Sequence, residues 1–198
     1  MANLITLIRL ILVFIIGIIA LYSPASWQLL NIPLIIINIL LDGLDGMIAR
    51  ARNEVSVFGA VFDIAADRII ESVLWMILAS LGAVSIWVAI IIITRGILID
   101  SLRKPHVHQG KTPFSIMKTG VGKFLVASRT MRFAIGFFKL MTFSWLFFLI
   151  PAHALWPQLL ADNNALFNII SNFLTYTTVT ICLIRGIPVV SEALLCKD

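Results

Sequence analysis

Charged side chains are scarce in this chain. Only 13% of its 198 residues are Asp, Glu, Lys or Arg, whereas 60% are hydrophobic, and the mean hydropathy is +1.03. Soluble domains carry about 25% charged residues and are roughly half apolar. The shortage of charge therefore excludes an ordinary soluble domain and predicts an integral membrane protein.

Signals of several other protein classes are missing as well. The two cysteines, Cys182 and Cys196, are too few for a disulfide framework, so we expect free thiols. No basic segment precedes the first apolar run and no convincing cleavage site follows it, so we expect a retained helix rather than a signal peptide. The net charge of +5 is explained by cytoplasmic loops beside anionic lipid, and we therefore expect no nucleic-acid partner.

Long apolar runs are abundant, and they predict six transmembrane helices. A bilayer core about 30 Å thick requires roughly 20 apolar residues for each spanning helix. The runs place helices at about residues 4–21, 34–50, 58–81, 85–103, 121–150 and 165–185. Near or beyond their ends we expect the helix breakers Pro24, Pro33, Pro151, Pro157 and Pro188. We predict an all-α integral membrane protein with a single domain over residues 1–198.

Lys and Arg are absent from three of the predicted loops, at residues 23–32, 82–84 and 151–164. The basic residues collect in the other loops and the tail: Arg50, Arg52, Arg103, Lys104, Lys111, Lys118, Arg185 and Lys197. Because basic loops stay in the cytoplasm, this asymmetry predicts that both termini are cytoplasmic. Trp27, Trp87 and Trp156 are then expected at the outer membrane interface.

Four aspartates stand out against this apolar background: Asp42, Asp45, Asp63 and Asp67. Within each pair the spacing is three or four residues, which puts both acids on one face of a helix. The second and third helices are expected to be antiparallel neighbours, so the pairs can face each other near the cytoplasmic side. Four carboxylates in one cavity require cations. Oxygen ligands suit Mg²⁺ or Mn²⁺, and we expect two such ions.

Glycines accompany the acids on the same helix faces. Gly46 lies one turn after Asp42, and Gly59 lies one turn before Asp63. Glycine is unfavourable inside a helix, so close packing or a ligand must offset its low propensity. Arg50, about two turns after Asp42, is placed to hold an anionic group.

Eight of these residues form one pattern, D-x2-D-G-x2-A-R-x8-G-x3-D-x3-D. It comprises Asp42, Asp45, Gly46, Ala49, Arg50, Gly59, Asp63 and Asp67. The pattern resembles the signature of the CDP-alcohol phosphotransferases, membrane enzymes of phospholipid synthesis. The resemblance implies a two-metal reaction in which an acceptor hydroxyl attacks the phosphorus nearer the lipid of CDP-diacylglycerol, and CMP leaves.

The same resemblance implies a role for each residue of the pattern. Asp42, Asp45 and Asp63 would be metal ligands, and Asp67 would be the general base as well as a ligand near the second metal. The cytidine nucleotide site would be lined by Gly46, Ala49, Arg50 and Gly59. The family also implies a homodimer in the inner cell membrane, with its active site toward the cytoplasm.

The acceptor alcohol must be inferred from residues outside the signature. The segment with Asn3, Thr6 and Arg9 is similar to the opening of phosphatidylglycerophosphate synthases, and Arg95 and Arg103 match that subfamily in "RGILIDSLR". Glycerol 3-phosphate is therefore the expected acceptor. Two positions of that run depart from the subfamily, because Gly96 replaces a usual Glu and Asp100 a usual Ser. Inositol phosphate or another polar alcohol is the alternative.

Basic residues are the candidates for binding a phosphorylated acceptor. Arg95 lies inside a predicted span, where an unpaired cation is expensive and usually functional. In a regular fifth helix, Lys118, Arg129, Arg132 and Lys139 would share one face, with Lys123 opposite. The acceptor-phosphate candidates are Arg95, Arg103, Lys118, Lys123, Arg129 and Arg132.

Simpler readings of these residues exist. In the simplest alternative, the aspartates serve only a structural network with Arg50, Arg52 and Arg68, and Arg9 only anchors the first helix at the headgroups. We expect Asp100 to pair locally with Arg103. A divalent-cation transporter would also use acids, but it would place them at the membrane midplane beside a discontinuous helix.

Overall fold

A computed structural model describes residues 2–51, 57–107 and 128–195. These three ranges are almost entirely helical and contain no strand, which confirms the all-α prediction for the described part of the chain. The six long helices are α1 (Ala2–Tyr22), α3 (Asn31–Ala51), α4 (Val57–Ser80), α5 (Ile86–Val107), α6 (Arg129–Leu155) and α8 (Asn164–Leu195). Two short helices, α2 (Ala25–Gln28) and α7 (Pro157–Asp162), lie in connections.

Two of the expected helix breakers lie inside helices. Pro151 is near the end of α6, as expected, whereas Pro188 lies inside α8, which was expected to end before it. A proline removes only one backbone N–H, and in an apolar surrounding the following residues still need helical hydrogen bonds. The helices therefore continue past each proline, and α8 reaches Leu195 instead of ending near residue 185.

The six long helices form a closed ring. Helix α1 packs between α3 and α4, α4 packs on α5, α5 on α8, α8 on α6, and α6 returns to α3. Helix α4 also reaches across the ring to α6. In the described residues α1 packs on both α3 and α4. The helix that carries Arg9 thus contacts both helices that carry the aspartates.

The apolar core fills one half of this ring. Ile16 of α1, Trp75 of α4 and Phe147 of α6 are at most 1% exposed, and the rings of Trp75 and Phe143 lie 5.0 Å apart in a tilted arrangement. These residues come from the second halves of their helices, nearest the α1–α3, α4–α5 and α6–α8 connections. The aspartates and Arg9 described below lie in the opposite half, whereas Glu71 adjoins the core residue Ile70.

The outer surface of the ring is apolar. Phe14, Ile18, Phe133 and Phe173 are each more than half exposed, as expected for side chains that face lipid rather than water. Within the described residues, four segments are long and apolar enough to cross a membrane: Asn3–Tyr22, Ala25–Gly43, Phe133–Leu155 and Asn164–Ser191. Helices α4 and α5 carry several charged residues, and their status as spans stays a prediction, as does the orientation of the termini.

Candidate active site

One buried arginine and three carboxylates meet where α1, α3 and α4 converge. Arg9 of α1 is only 3% exposed. Its Nη2 lies 2.6 Å from Asp42 Oδ1 and 2.8 Å from Asp67 Oδ1, and its Nη1 lies 3.4 Å from Asp63 Oδ1. A single guanidinium thus contacts acids from both α3 and α4, and the three helices are joined by opposite charges.

The sequence of α1 explains why Arg9 points inward. The buried face of this helix repeats at three- and four-residue steps, as an amphipathic helix requires, through Thr6, Arg9, Val13, Ile16 and Ala20. On α3, the buried Asn38 donates its Nδ2 hydrogen to the backbone oxygen of Arg9 over 2.9 Å. The backbone at Arg9 is therefore tied to α3 independently of the guanidinium. The interpretation of Arg9 as a headgroup anchor is wrong, because its side chain is buried.

The three carboxylates are arranged as a ligand set. One oxygen from each of Asp42, Asp63 and Asp67 lies within 4.8 Å of the other two. Their side chains are 43% to 47% exposed, so the cluster is open to an incoming ion or substrate. The prediction that acids of the two helices face each other is confirmed for these three residues. Their arginine partner is Arg9, a residue that the structural-network reading did not include.

Several predicted site residues fall outside what the structure describes. Asp45, Gly46, Ala49 and Arg50 belong to the helical backbone of α3, but their side chains are outside the described part. The same holds for the side chains of Arg103, Arg129 and Arg132, and for Lys118 and Lys123 altogether. Gly59 lies in α4, one turn before Asp63, and is partly buried. Their functional assignments stay predictions.

The residues that are described fit a divalent metal ion. Their donor atoms are carboxylate oxygens, which hard cations such as Mg²⁺ and Mn²⁺ prefer. The guanidinium of Arg9 acts as a stand-in cation, since it occupies the place where the three negative charges must be compensated. The site is therefore built to attract positive charge, and its half-exposed acids leave room for an ion.

A second charged cluster lies beside the first, one turn further along α4. Arg68 donates two hydrogen bonds to Asp100 of α5, one of them from Nη2 to Oδ1 over 3.2 Å, and a third to Glu71 over 3.1 Å. Glu71 also pairs with Lys139 of α6, with 2.7 Å between Oε1 and Nζ. These contacts tie α4, α5 and α6 together. Asp100 thus has Arg68 as a partner, whereas the expected local pair with Arg103 lies outside the described residues.

Sequence reasoning missed Glu71 as a member of this cluster. The signal was present, because Glu71 lies four residues after Asp67 and eight after Asp63, on the same face of α4. An acid in the apolar part of a helix calls for a partner. Lys139 was predicted on a basic face for the acceptor, and the structure pairs it with Glu71 instead.

The Glu71–Lys139 pair is expected to stabilise the fold. Glu71→Gln should lower the free energy of unfolding by roughly 2 kcal/mol, because it leaves the partly buried Lys139 ammonium without its counter-charge. Thermal unfolding in detergent would measure the effect. Glu71→Gln combined with Lys139→Gln should cost less than the two single changes added together. Strictly additive effects would contradict a direct ion pair.

Arg95 of α5 borders this second cluster but differs from Arg68 in its hydrogen bonding. Its Nε atom is buried and has no hydrogen-bond partner among the described residues. Gly186 of α8 makes room for it, since a Cβ there would lie 3.2 Å from that nitrogen and 2.7 Å from Ile99 Cδ1. A guanidinium with unused donors, held between α5 and α8, is suited to bind an anion.

Gly96 lies against the side chain of Arg68. A Cβ at this position would be in ordinary van der Waals contact with that side chain, 3.4 Å from Arg68 Cδ and 3.6 Å from its Nη1. The long side chain of Arg68 therefore passes close over the α5 backbone to reach Asp100. Both positions that depart from the subfamily pattern thus adjoin Arg68, and Asp100 accepts its hydrogen bonds.

Comparison with known proteins agrees with this site. Residues 1–184 match the family described as CDP-alcohol phosphatidyltransferase. A curated relative, the CDP-diacylglycerol--glycerol-3-phosphate 3-phosphatidyltransferase of Wigglesworthia glossinidia brevipalpis, is 40% identical over 111 residues. That match covers 54% of this chain and 59% of the relative, so the chain spans little more than half of the relative's length. Because the family match extends over most of its length, the chain belongs to the CDP-alcohol phosphatidyltransferase family.

Proposed function

We propose that this protein transfers a phosphatidyl group from CDP-diacylglycerol to glycerol 3-phosphate, which yields phosphatidylglycerophosphate and CMP. The observation that carries the proposal is the meeting of Asp42, Asp63 and Asp67 within 4.8 Å in a half-exposed cluster. These are three of the four acids in the signature of the family to which the chain belongs. The donor and the reaction follow from the family, and the relative's name supports the acceptor.

Asp42, Asp45 and Asp63 are proposed to hold Mg²⁺ or Mn²⁺, two ions in the full site, with Asp67 at the second. Bound ions would neutralise the pyrophosphate of the donor and the departing CMP. Asp67 is proposed as the general base. Its carboxylate takes the proton of the acceptor hydroxyl while that oxygen bonds to the phosphorus nearer the lipid and the bond to CMP breaks.

Four residues are proposed to line the cytidine nucleotide site: Gly46, Ala49, Arg50 and Gly59. Gly46 and Gly59 lie within one helical turn of Asp42 and Asp63, and neither has a side chain to obstruct a ligand. Arg50 lies two turns beyond Asp42 on α3 and would bind a phosphate.

Arg95 supports a phosphorylated acceptor. It is partly buried, its Nε has no partner in the described residues, and it lies in α5, which packs on α4 beside the acid-bearing face. A phosphate would supply the missing acceptor atoms and the opposite charge. Arg103, Lys118, Lys123, Arg129 and Arg132 remain further candidates for this subsite. Inositol phosphate is the alternative acceptor that the same charges would accommodate.

The membrane arrangement is proposed from the distribution of charge. All six long helices span the inner cell membrane, both termini are cytoplasmic, and one domain covers residues 1–198, by family resemblance as a homodimer. Two observations support this. The exposed Trp27, Trp87 and Trp156 lie at the helix connections that lack Lys and Arg, and the acids lie in the half of the bundle nearer the α3–α4 connection.

An acceptor panel tests the reaction. Purified protein with CDP-diacylglycerol and Mg²⁺ should release CMP when glycerol 3-phosphate is added, and much less with inositol phosphate, serine or inositol. CMP release measured by chromatography identifies the acceptor. Absence of CMP with every acceptor would contradict the enzyme proposal, and Mn²⁺ uptake into sealed liposomes by the same protein would favour the transporter.

A further inference from the structure

We propose that Arg9 is a built-in cation that competes with the divalent ion for Asp42, Asp63 and Asp67, so that the substrate-free protein holds metal weakly. The inference rests on the metal site of the proposed function and adds to it a residue that opposes metal binding. It concerns the guanidinium at the centre of the acid cluster.

Arg9 contacts the carboxylates that a metal ion would use. Nη2 of Arg9 contacts Asp42 Oδ1 at 2.6 Å and Asp67 Oδ1 at 2.8 Å, so one nitrogen already bridges oxygens of two helices. Mg²⁺ binds oxygen at about 2.0–2.1 Å. An ion on Asp42 Oδ1 would therefore lie within about 5 Å of Nη2, because both positions are measured from the same oxygen. Each of the three carboxylates that the ion needs is in contact with Arg9 through its Oδ1.

The positive charge of Arg9 opposes the binding of a divalent ion. A divalent ion within this distance of a guanidinium is repelled by it, and the repulsion is strong because Arg9 is only 3% exposed and little screened by water. Arginine does not lose its proton in proteins, so deprotonation offers no relief. A metal ion must then either displace the guanidinium or bind beside it against its repulsion. In both cases removal of the charge favours the ion.

Helix α1 is held at Arg9 by contacts other than those of the guanidinium. The backbone of Arg9 is held by the hydrogen bond from Asn38 to its carbonyl oxygen, and α1 packs against both α3 and α4. The helix is therefore held in place, so an entering ion would have to displace the side chain rather than α1. The acids are half exposed, which leaves the cluster open to an ion on one side.

Mn²⁺ binding to the purified, nucleotide-free protein tests the proposal without any turnover. Electron paramagnetic resonance of free Mn²⁺ gives the dissociation constant directly. We expect Arg9→Gln to bind Mn²⁺ at least about tenfold more tightly than the unmodified protein. In Arg9→Lys the lysine side chain keeps a positive charge near the acids but cannot reach three carboxylates at once. This variant should bind Mn²⁺ about threefold more tightly than the unmodified protein.

Two controls make the result specific. Arg68→Gln removes the same charge one residue from Asp67, where the guanidinium contacts Asp100 and Glu71 instead, and should change the Mn²⁺ dissociation constant less than threefold. Asp63→Asn should weaken Mn²⁺ binding in the presence and in the absence of Arg9.

The outcomes separate the two proposals. Mn²⁺ binding that Asp63→Asn weakens, but that Arg9→Gln leaves unchanged or weakens, would overturn the competition while the metal site stands. If Arg9→Gln does not fold, weaker binding by Arg9→Lys than by the unmodified protein overturns it in the same way. An absence of Mn²⁺ binding in the unmodified protein and in both Arg9 variants would refute the metal site itself, and the competition with it.

Discussion

Asp67→Asn is expected to lower the rate of CMP release by about 10²- to 10⁴-fold, the range that general-base catalysis contributes. An asparagine side chain has nearly the same shape as aspartate, but its amide cannot accept the proton of the acceptor hydroxyl. Binding of CDP, measured by its protection against thermal unfolding, should be largely retained, because the residues proposed to bind the nucleotide are Gly46, Ala49, Arg50 and Gly59. The rate loss would then lie in the chemical step.

Asp162→Asn provides the matched control. Asp162 is an exposed aspartate at the end of α7, in the connection between α6 and α8, far along the chain from the acid cluster. Its substitution should leave CMP release unchanged. Full activity in Asp67→Asn would assign the proton to another group and remove Asp67 from the mechanism.

Arg95→Met is expected to raise the KM for glycerol 3-phosphate by about 10- to 100-fold. A hydrogen bond to a charged group contributes about 1.5–3 kcal/mol, and each 1.4 kcal/mol changes affinity about tenfold. Methionine fills a similar volume between α5 and α8 but offers no donor, so the α5–α8 packing at Gly186 should remain. The KM for CDP-diacylglycerol should not change.

The conservative variant distinguishes a phosphate contact from a packing role. Arg95→Lys keeps the charge and should retain most of the affinity for glycerol 3-phosphate, whereas a packing role would make lysine as harmful as methionine. A rise in the KM for CDP-diacylglycerol, with that for glycerol 3-phosphate unchanged, would move Arg95 to the donor site.

Local patterns predicted the helices well. Helix α1 was expected at about residues 4–21 and occupies Ala2–Tyr22, and α4 was expected at about 58–81 and occupies Val57–Ser80. Apolar runs bounded by polar or turn residues determine such limits locally. The same local reasoning was wrong for the end of α8, which continues past Pro188 because the hydrogen-bonding demand of an apolar surrounding outweighs a single missing donor.

Partners that are distant in sequence could not be predicted from spacing. Arg9 is 54 residues from Asp63 and 58 from Asp67, and only the packing order of the helices brings them together. Spacing showed that Asp63 and Asp67 share a face of α4, but not that α1 packs on both α3 and α4. The pairs Arg68–Asp100 and Glu71–Lys139 likewise depend on which helices become neighbours in the ring.

The order of helices around the ring has a consequence for biogenesis. Helix α1 adjoins both α3 and α4 in space, and all three are synthesised before α5, α6 and α8, since they are complete when Ser80 has been added. An unpaired charge inside a membrane span is costly during insertion. Arg9 can neutralise acids of α3 and α4 while α6 and α8 are still unmade. The arginine that resists metal in the finished protein would thus assist the ribosome-bound chain as it enters the bilayer.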